Sequence, residues 1–257
     1  MSLVKYTVRD RVGFITLNRP EKRNALSFEL VAALKDAFQK AEADPKAKVV
    51  ILGGEGEAFC AGADLEYIKQ LQGNSYADNL KDSNHLKELF LQIYKLKKVV
   101  IAKVHGHALA GGCGLATVCD FVFAVPEAKM GYTEVKIGFI PAIVMVFLIR
   151  KIGEQRARHL LLSGELVSGD GALQAGLVTR LIPKEQLDAA VETFAQHLVQ
   201  NNSGQSMETT KGMIAGVQSL PLEDALDLAA SMNAHARETD DCRKGILAFL
   251  EKRKIEW

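Results

Sequence analysis

The chain has no CxxC pair. Its four cysteines, Cys60, Cys113, Cys119 and Cys242, stand apart. Cys113 and Cys119 lie among apolar residues, which favours buried thiols over a disulfide framework and points to a reducing, cytoplasmic compartment. Neither sign of charge is in excess: 32 Lys and Arg face 31 Asp and Glu, a net charge of +1. Non-specific nucleic-acid binding needs a clustered basic excess, so that class is excluded. No apolar run is long enough for a bilayer, which takes about 20 residues; the densest, Pro141 to Ile149, falls well short, and no membrane association is expected. The opening residues, MSLVKYTVRD, have no basic region followed by an apolar core, so no signal peptide is expected. The P-loop signature, GxGxxG after a strand, HExxH and GxSxG are all missing. His105 and His107 alternate as two metal ligands could, but no third ligand is near, so no metal is expected.

What is present is a globular composition over 257 residues, 48% hydrophobic and 25% charged, enough for one large domain or two small ones. Val4, Tyr6 and Val8 alternate, and Val12 to Leu17 follows a charged turn at Arg9-Asp10-Arg11, which reads as a hairpin. Ser27 is a candidate cap for a helix over 28–43 with Leu30, Val31, Leu34, Phe38 and Ala41 on its apolar face. Buried strands are expected at 48–53, broken by Gly53, Gly54 and Gly56, and at 99–104 and 121–125, with a last short one at 178–182. Further helices are expected at 77–96, at 142–151 with Pro141 in the first position, at 154–162, 168–175 and 184–200, and twice more near the C-terminus. Strand–helix alternation followed by mostly helix predicts an α/β fold with a helical C-terminal part.

Three segments carry candidate chemistry. Phe59 to Leu65, FCAGADL, is either a plain glycine turn or a place where backbone approaches a ligand and a free N–H points into a cleft. In Gly106 to Asp120, three glycines in four residues open a helix. They serve either close helix packing or the stabilisation of an anion or oxyanion at the helix's positive end. Glu134 is the only carboxylate between Glu127 and Glu154. It is either solvated beside Lys136 or buried, with a raised pKa suited to proton transfer.

Six blocks in order resemble the crotonase, or enoyl-CoA hydratase/isomerase, superfamily: LNRPEKRNAL (17–26), AFCAGADL (58–65), GHALAGGCGLATVCD (106–120), AKMGYTEVKIGFIP (128–141), SGELVSGDGALQAGLV (163–178) and FLEKRK (249–254). The resemblance implies a spiral of ββα units, assigned here to residues 1–195, and a helical trimerisation region over 196–257. It implies a homotrimer or homohexamer acting on an acyl-CoA thioester, with no cofactor beyond the CoA of the substrate. The family pattern puts two oxyanion-hole N–H groups at Ala63 and Gly111 and an acid/base at Glu134. It puts CoA and substrate contacts at Lys22, Arg23, Ala25, Ala61, Asp64, Leu65 and Gly114, and adenine or phosphate contacts at Phe249 and Lys252.

Typical hydratases of the superfamily carry a second glutamate three residues after the oxyanion-hole glycine, where this chain has Gly114. The stretch Thr133 to Ala142, with Gly114-Leu115, looks more like the methylglutaconyl-CoA hydratase-like members. The resemblance therefore implies hydration of an α,β-enoyl-CoA. The alternatives are double-bond isomerisation by Glu134 alone and acyl-CoA binding without catalysis. The uncovered run Ala142 to Ile149 reads as an interface, an acyl-pocket wall or a core helix.

Overall fold

The structure, a computed structural model, describes residues 2–257. Its strands are β1 (Val4–Arg9), β2 (Val12–Leu17), β3 (Val49–Gly54), β4 (Val99–Val104), β5 (Ala108–Leu109), β6 (Phe121–Ala124), β7 (Met130–Gly131) and β8 (Arg180–Leu181). The first helices are α1 (Phe28–Ala43), α2 (Leu65–Leu71), α3 (Tyr76–Lys95), α4 (Gly111–Thr117), α5 (Ala142–Ile152), α6 (Glu154–Ser163) and α7 (Gly169–Ala175). The last are α8 (Leu187–Asn201), α9 (Gly204–Val217), α10 (Leu222–Glu238) and α11 (Asp240–Leu250).

The hairpin forms as expected, with Asp10 and Arg11 both at positive φ, 49° and 63°. Two such residues between antiparallel strands make the mirror-image turn whose twist matches the strands. Ser27 caps α1 by accepting from the Leu30 N–H at 3.3 Å, and the expected apolar face is buried. β3 continues through Gly53 and Gly54, so only the residues beyond Gly54 break it. Pro141 sits at the cap rather than the first turn of α5. Three helices, not two, follow α8. α2 was not anticipated; it is only seven residues long and buries none of them.

Six strands form one sheet in the order β1-β2-β3-β4-β6-β8, parallel after the hairpin. β3 and β4 are almost wholly buried, which is why they read as continuous apolar runs. α8 packs on β2, β3, β4 and β6 and runs through residue 195 unbroken, with Val191, Ala195, Leu198 and Val199 in the core. A second, smaller ladder crosses the ends of these units. Leu26 pairs with Ala63, Cys60 with Ala108, β5 with β7, and Met130 with Val167. After each of β2, β3 and β4 the chain thus leaves one short stretch in this ladder, and after β6 it leaves two, β7 and Val167; the repetition makes the spiral. The ladder brings the three candidate segments together.

Candidate active site

The segments at 60–63 and 108–112 are held in contact by main-chain bonds. Cys60 N donates to His107 O at 3.2 Å, and Leu109 N donates to Cys60 O at 3.0 Å. The approach admits no side chains: a Cβ on Gly112 would lie 2.2 Å from Cys60 O. Gly62, at φ +92°, would put one 2.8 Å from Leu109 O. These glycines serve the close approach of two chain segments to each other.

Ala63 lies between two residues tied to Leu26. Leu26 N donates to Gly62 O at 2.7 Å, and Asp64 N donates to Leu26 O at 2.9 Å. The Ala63 N–H itself has no acceptor among the described residues, and neither does the N–H of Gly111, the first residue of α4. The Leu26 side chain touches Gly111, with its Cδ1 3.3 Å from where a Cβ would stand. Ala110, just before Gly111, is held at φ +50°, ψ −126°. Such a conformation costs a non-glycine residue about 1–3 kcal/mol and persists only where its surroundings impose it. The Ala110 N–H donates to Gly131 O at 2.7 Å, which ties the strained residue to β7.

Glu134 opens a short 3-10 turn three residues after β7 and is buried. Its Oε2 has no hydrogen-bond partner. Burial pushes its carboxyl above the ordinary value, opposed only by a bond from its own main-chain N–H. The solvated pairing with Lys136 does not form. Glu134 lies near Cys113 and Tyr132, whose pKa values its charge helps to raise. Tyr132 is fully buried, with its hydroxyl 2.9 Å from Thr117 Oγ1, and it braces the turn against α4.

Gly114 is enclosed. A Cβ there would meet Val144 Cγ1 at 2.2 Å and Phe90 Cε1 at 3.1 Å, so α5 closes over this point of α4. Close helix packing accounts for the glycine. Asp64 caps α2, accepting from Glu66 N at 3.0 Å and Tyr67 N at 3.4 Å, and pairs with Arg19 at 2.8 Å. Burial alone would raise its pKa, but Arg19 and the two N–H groups outweigh it and hold the carboxyl low. Ala25 gives its carbonyl to Arg19 at 2.9 Å, and Ala61 N donates to Arg23 O at 3.0 Å. Lys22 pairs with Glu66 at 2.8 Å on the exposed surface. Leu65 is exposed beside them. Phe249 and Lys252 stand apart: no hydrogen bond or ion pair among the described residues joins 249–254 to 19–26 or 58–65.

Two residues escaped the sequence reading. Arg19 is one. Asn24 is the other, fully buried at φ 55°, donating from Nδ2 to Glu55 O and Ala58 O and accepting from Arg19 N, each at 2.9 Å. Its signal was an Asn after a proline-led turn, a residue type that tolerates the left-handed region. His105 and His107 are occupied by main chain, with Gly56 O and Lys129 N, and no cluster suited to a metal is found among the described residues. Among the described residues no helix is long and apolar enough to cross a membrane.

A parallel-sheet spiral whose second ladder joins two glycine-rich connections beside a buried carboxyl is the crotonase architecture. A sequence model described as enoyl-CoA hydratase/isomerase matches residues 7–257. The chain belongs to that family and is an enzyme. It is 42% identical over 245 residues, 95% of this chain and 96% of the relative, to a Thermus thermophilus protein described provisionally as an enoyl-CoA hydratase. It is 32% identical to the 2,3-dehydroadipyl-CoA hydratase of Escherichia coli, covering 98% of this chain and 97% of that one. A crystal structure of an enoyl-CoA hydratase from Mycobacterium smegmatis superposes with a TM-score of 0.92 at 33% identity, covering 99% and 98%.

Proposed function

We propose that the chain hydrates an α,β-enoyl-CoA through a thioester enolate, with Glu134 as the single acid/base. The observation that carries this is the buried, unpartnered Oε2 of Glu134, three residues beyond β7, together with the unclaimed N–H groups of Ala63, on the same ladder as β7, and of Gly111, two residues beyond β5. The Ala63 and Gly111 N–H groups donate hydrogen bonds to the thioester oxygen. Glu134 takes a proton from water as the water oxygen bonds to the β-carbon. The double-bond electrons move through the α-carbon to the thioester oxygen, where two preorganised donors stabilise them. Glu134 then returns its proton to the α-carbon, so water's two parts end on the β- and α-carbons. A carboxyl raised toward neutrality both takes and gives that proton.

In this reading Arg23 and the outer face of Lys22 meet CoA phosphates, and backbone near Ala61 and Leu65 meets the adenine. Phe249 and Lys252 complete the CoA site from a neighbouring copy in a trimer or hexamer. The test is a panel of enoyl-CoA thioesters, branched and carboxylated ones included, followed by mass spectrometry. A gain of one water supports hydration, and no gain on any member overturns it. The packing of Val144 over Gly114 favours a second reading, since it leaves one carboxylate and no place for another. In that reading Glu134 shuttles a proton between the α- and γ-carbons of a β,γ-enoyl-CoA. Conversion to the conjugated isomer with no change of mass identifies it.

A further inference from the structure

We propose that Arg19 is a positioning residue for the Ala63 N–H, clamping the two strands that set where this donor points. The inference rests on the reading of Ala63 as an oxyanion donor. One prong of the guanidinium, Nη2, reaches the Asp64 carboxylate at 2.8 Å, and the other, Nη1, donates to Ala25 O at 2.9 Å. Asp64 follows Ala63, and Ala25 precedes Leu26, the residue that bridges Ala63. Both sides of this one-residue bridge are therefore held by one planar group.

The bridge has two main-chain bonds, and on one side Ala61 N donates to Arg23 O at 3.0 Å. The clamp adds a constraint on the other side, at Asp64. The pair is shielded from water, with side-chain exposures of 16% and 8%. Surface ion pairs lose most of their worth to solvent, and this one does not face it. Arg19 is itself fixed, because its own N–H donates to the buried Asn24 at 2.9 Å. Lysine cannot replace the function: it has charge but no rigid fork to span a carboxylate and a carbonyl together.

The test uses Arg19→Lys and Asp64→Asn in the full-length protein, with butyryl-CoA carrying carbon-13 at the thioester carbonyl as an unreactive probe. In the wild type, binding should lower the carbonyl stretching frequency through polarisation by the two N–H groups. Arg19→Lys should lose part of that shift and drop kcat about tenfold, less than the 10²–10³ of a deleted donor, with KM within about threefold. Asp64→Asn, which keeps a cap acceptor, should behave alike, and the double variant should be no worse than either single one. A variant that melts at lower temperature yet keeps the wild-type shift and kcat when assayed well below its midpoint would overturn the clamp and leave a stabilising role only. A wild-type protein that binds the probe with no shift would overturn the oxyanion reading itself.

Discussion

At the scale of residues, Glu134 is the group on which the proposed chemistry depends. Glu134→Gln keeps size and hydrogen bonding but cannot titrate. We expect kcat to fall by about 10²–10⁴ with acyl-CoA affinity little changed, as steady-state kinetics and calorimetric titration would show. Its raised pKa also sets a pH dependence. The folded protein holds this proton more tightly than the unfolded chain, so stability falls as pH rises from the unfolded pKa through the folded one. Denaturant titrations should find Glu134→Gln equal to the wild type well below the ordinary glutamate pKa and more stable above the window. The acid limb of kcat/KM should lie above that ordinary value and vanish in the variant. A wild-type limb at the ordinary value would contradict the burial argument.

At the scale of elements, the contacts between short segments are the vulnerable points. Gly114→Ala presses a methyl group into Val144, and overpacking of this kind costs about 1–3 kcal/mol. Shortening Val144 to Ala in the same chain should relieve part of the clash. The pair should then be less destabilising than the sum of its singles by about 0.5 kcal/mol or more, measured by urea unfolding. Gly114→Glu alone should destabilise α4–α5 packing rather than supply a second carboxylate, because Val144 holds that space. Ser27→Ala should cost about 1 kcal/mol through the lost cap, as urea unfolding would show.

At the scale of the molecule, one protomer leaves too much apolar surface in water. α5 buries Val144, Leu148 and Ile152 but exposes Met145, Val146 and Ile149. Val135 joins Ile140, Met145, Ile149 and Leu162 around an apolar cavity of about 480 Å³. Leu222, Leu226, Ile246 and Phe249 stand exposed on α10 and α11. Large apolar side chains exposed together on a single chain are what an interaction surface would cover. Sedimentation should give a particle of three or six times 28.1 kDa, and Ile149→Glu or Leu226→Glu should shift it toward smaller species. Lys252→Ala should weaken CoA-thioester binding without changing the sedimenting mass. A wild-type protein that sediments as a monomer would overturn the shared CoA site.

Local signals settled what local physics controls. The charged hairpin turn, the Ser27 cap, the apolar stripe of α1 and the continuous buried runs of β3 and β4 depend on residues a few positions apart, and the sequence by itself determined them. The resemblance of the motif blocks to the crotonase superfamily pointed to Ala63, Gly111 and Glu134; of these, Glu134 also stood out by itself as a carboxylate amid apolar residues. Only the tertiary structure decided which reading of each glycine held. It put Gly112 against Cys60 and Gly114 under Val144, and no pattern within one segment encodes what another segment brings to it. The same limit hid α2, which has no buried face, and the clamp of Arg19, whose partners Ala25 and Asp64 lie six and forty-five positions along the chain. Spacing along a helix or strand is set by its period. Contact between turns of a spiral is set by how far each turn rises, and that follows from the packing of the whole core.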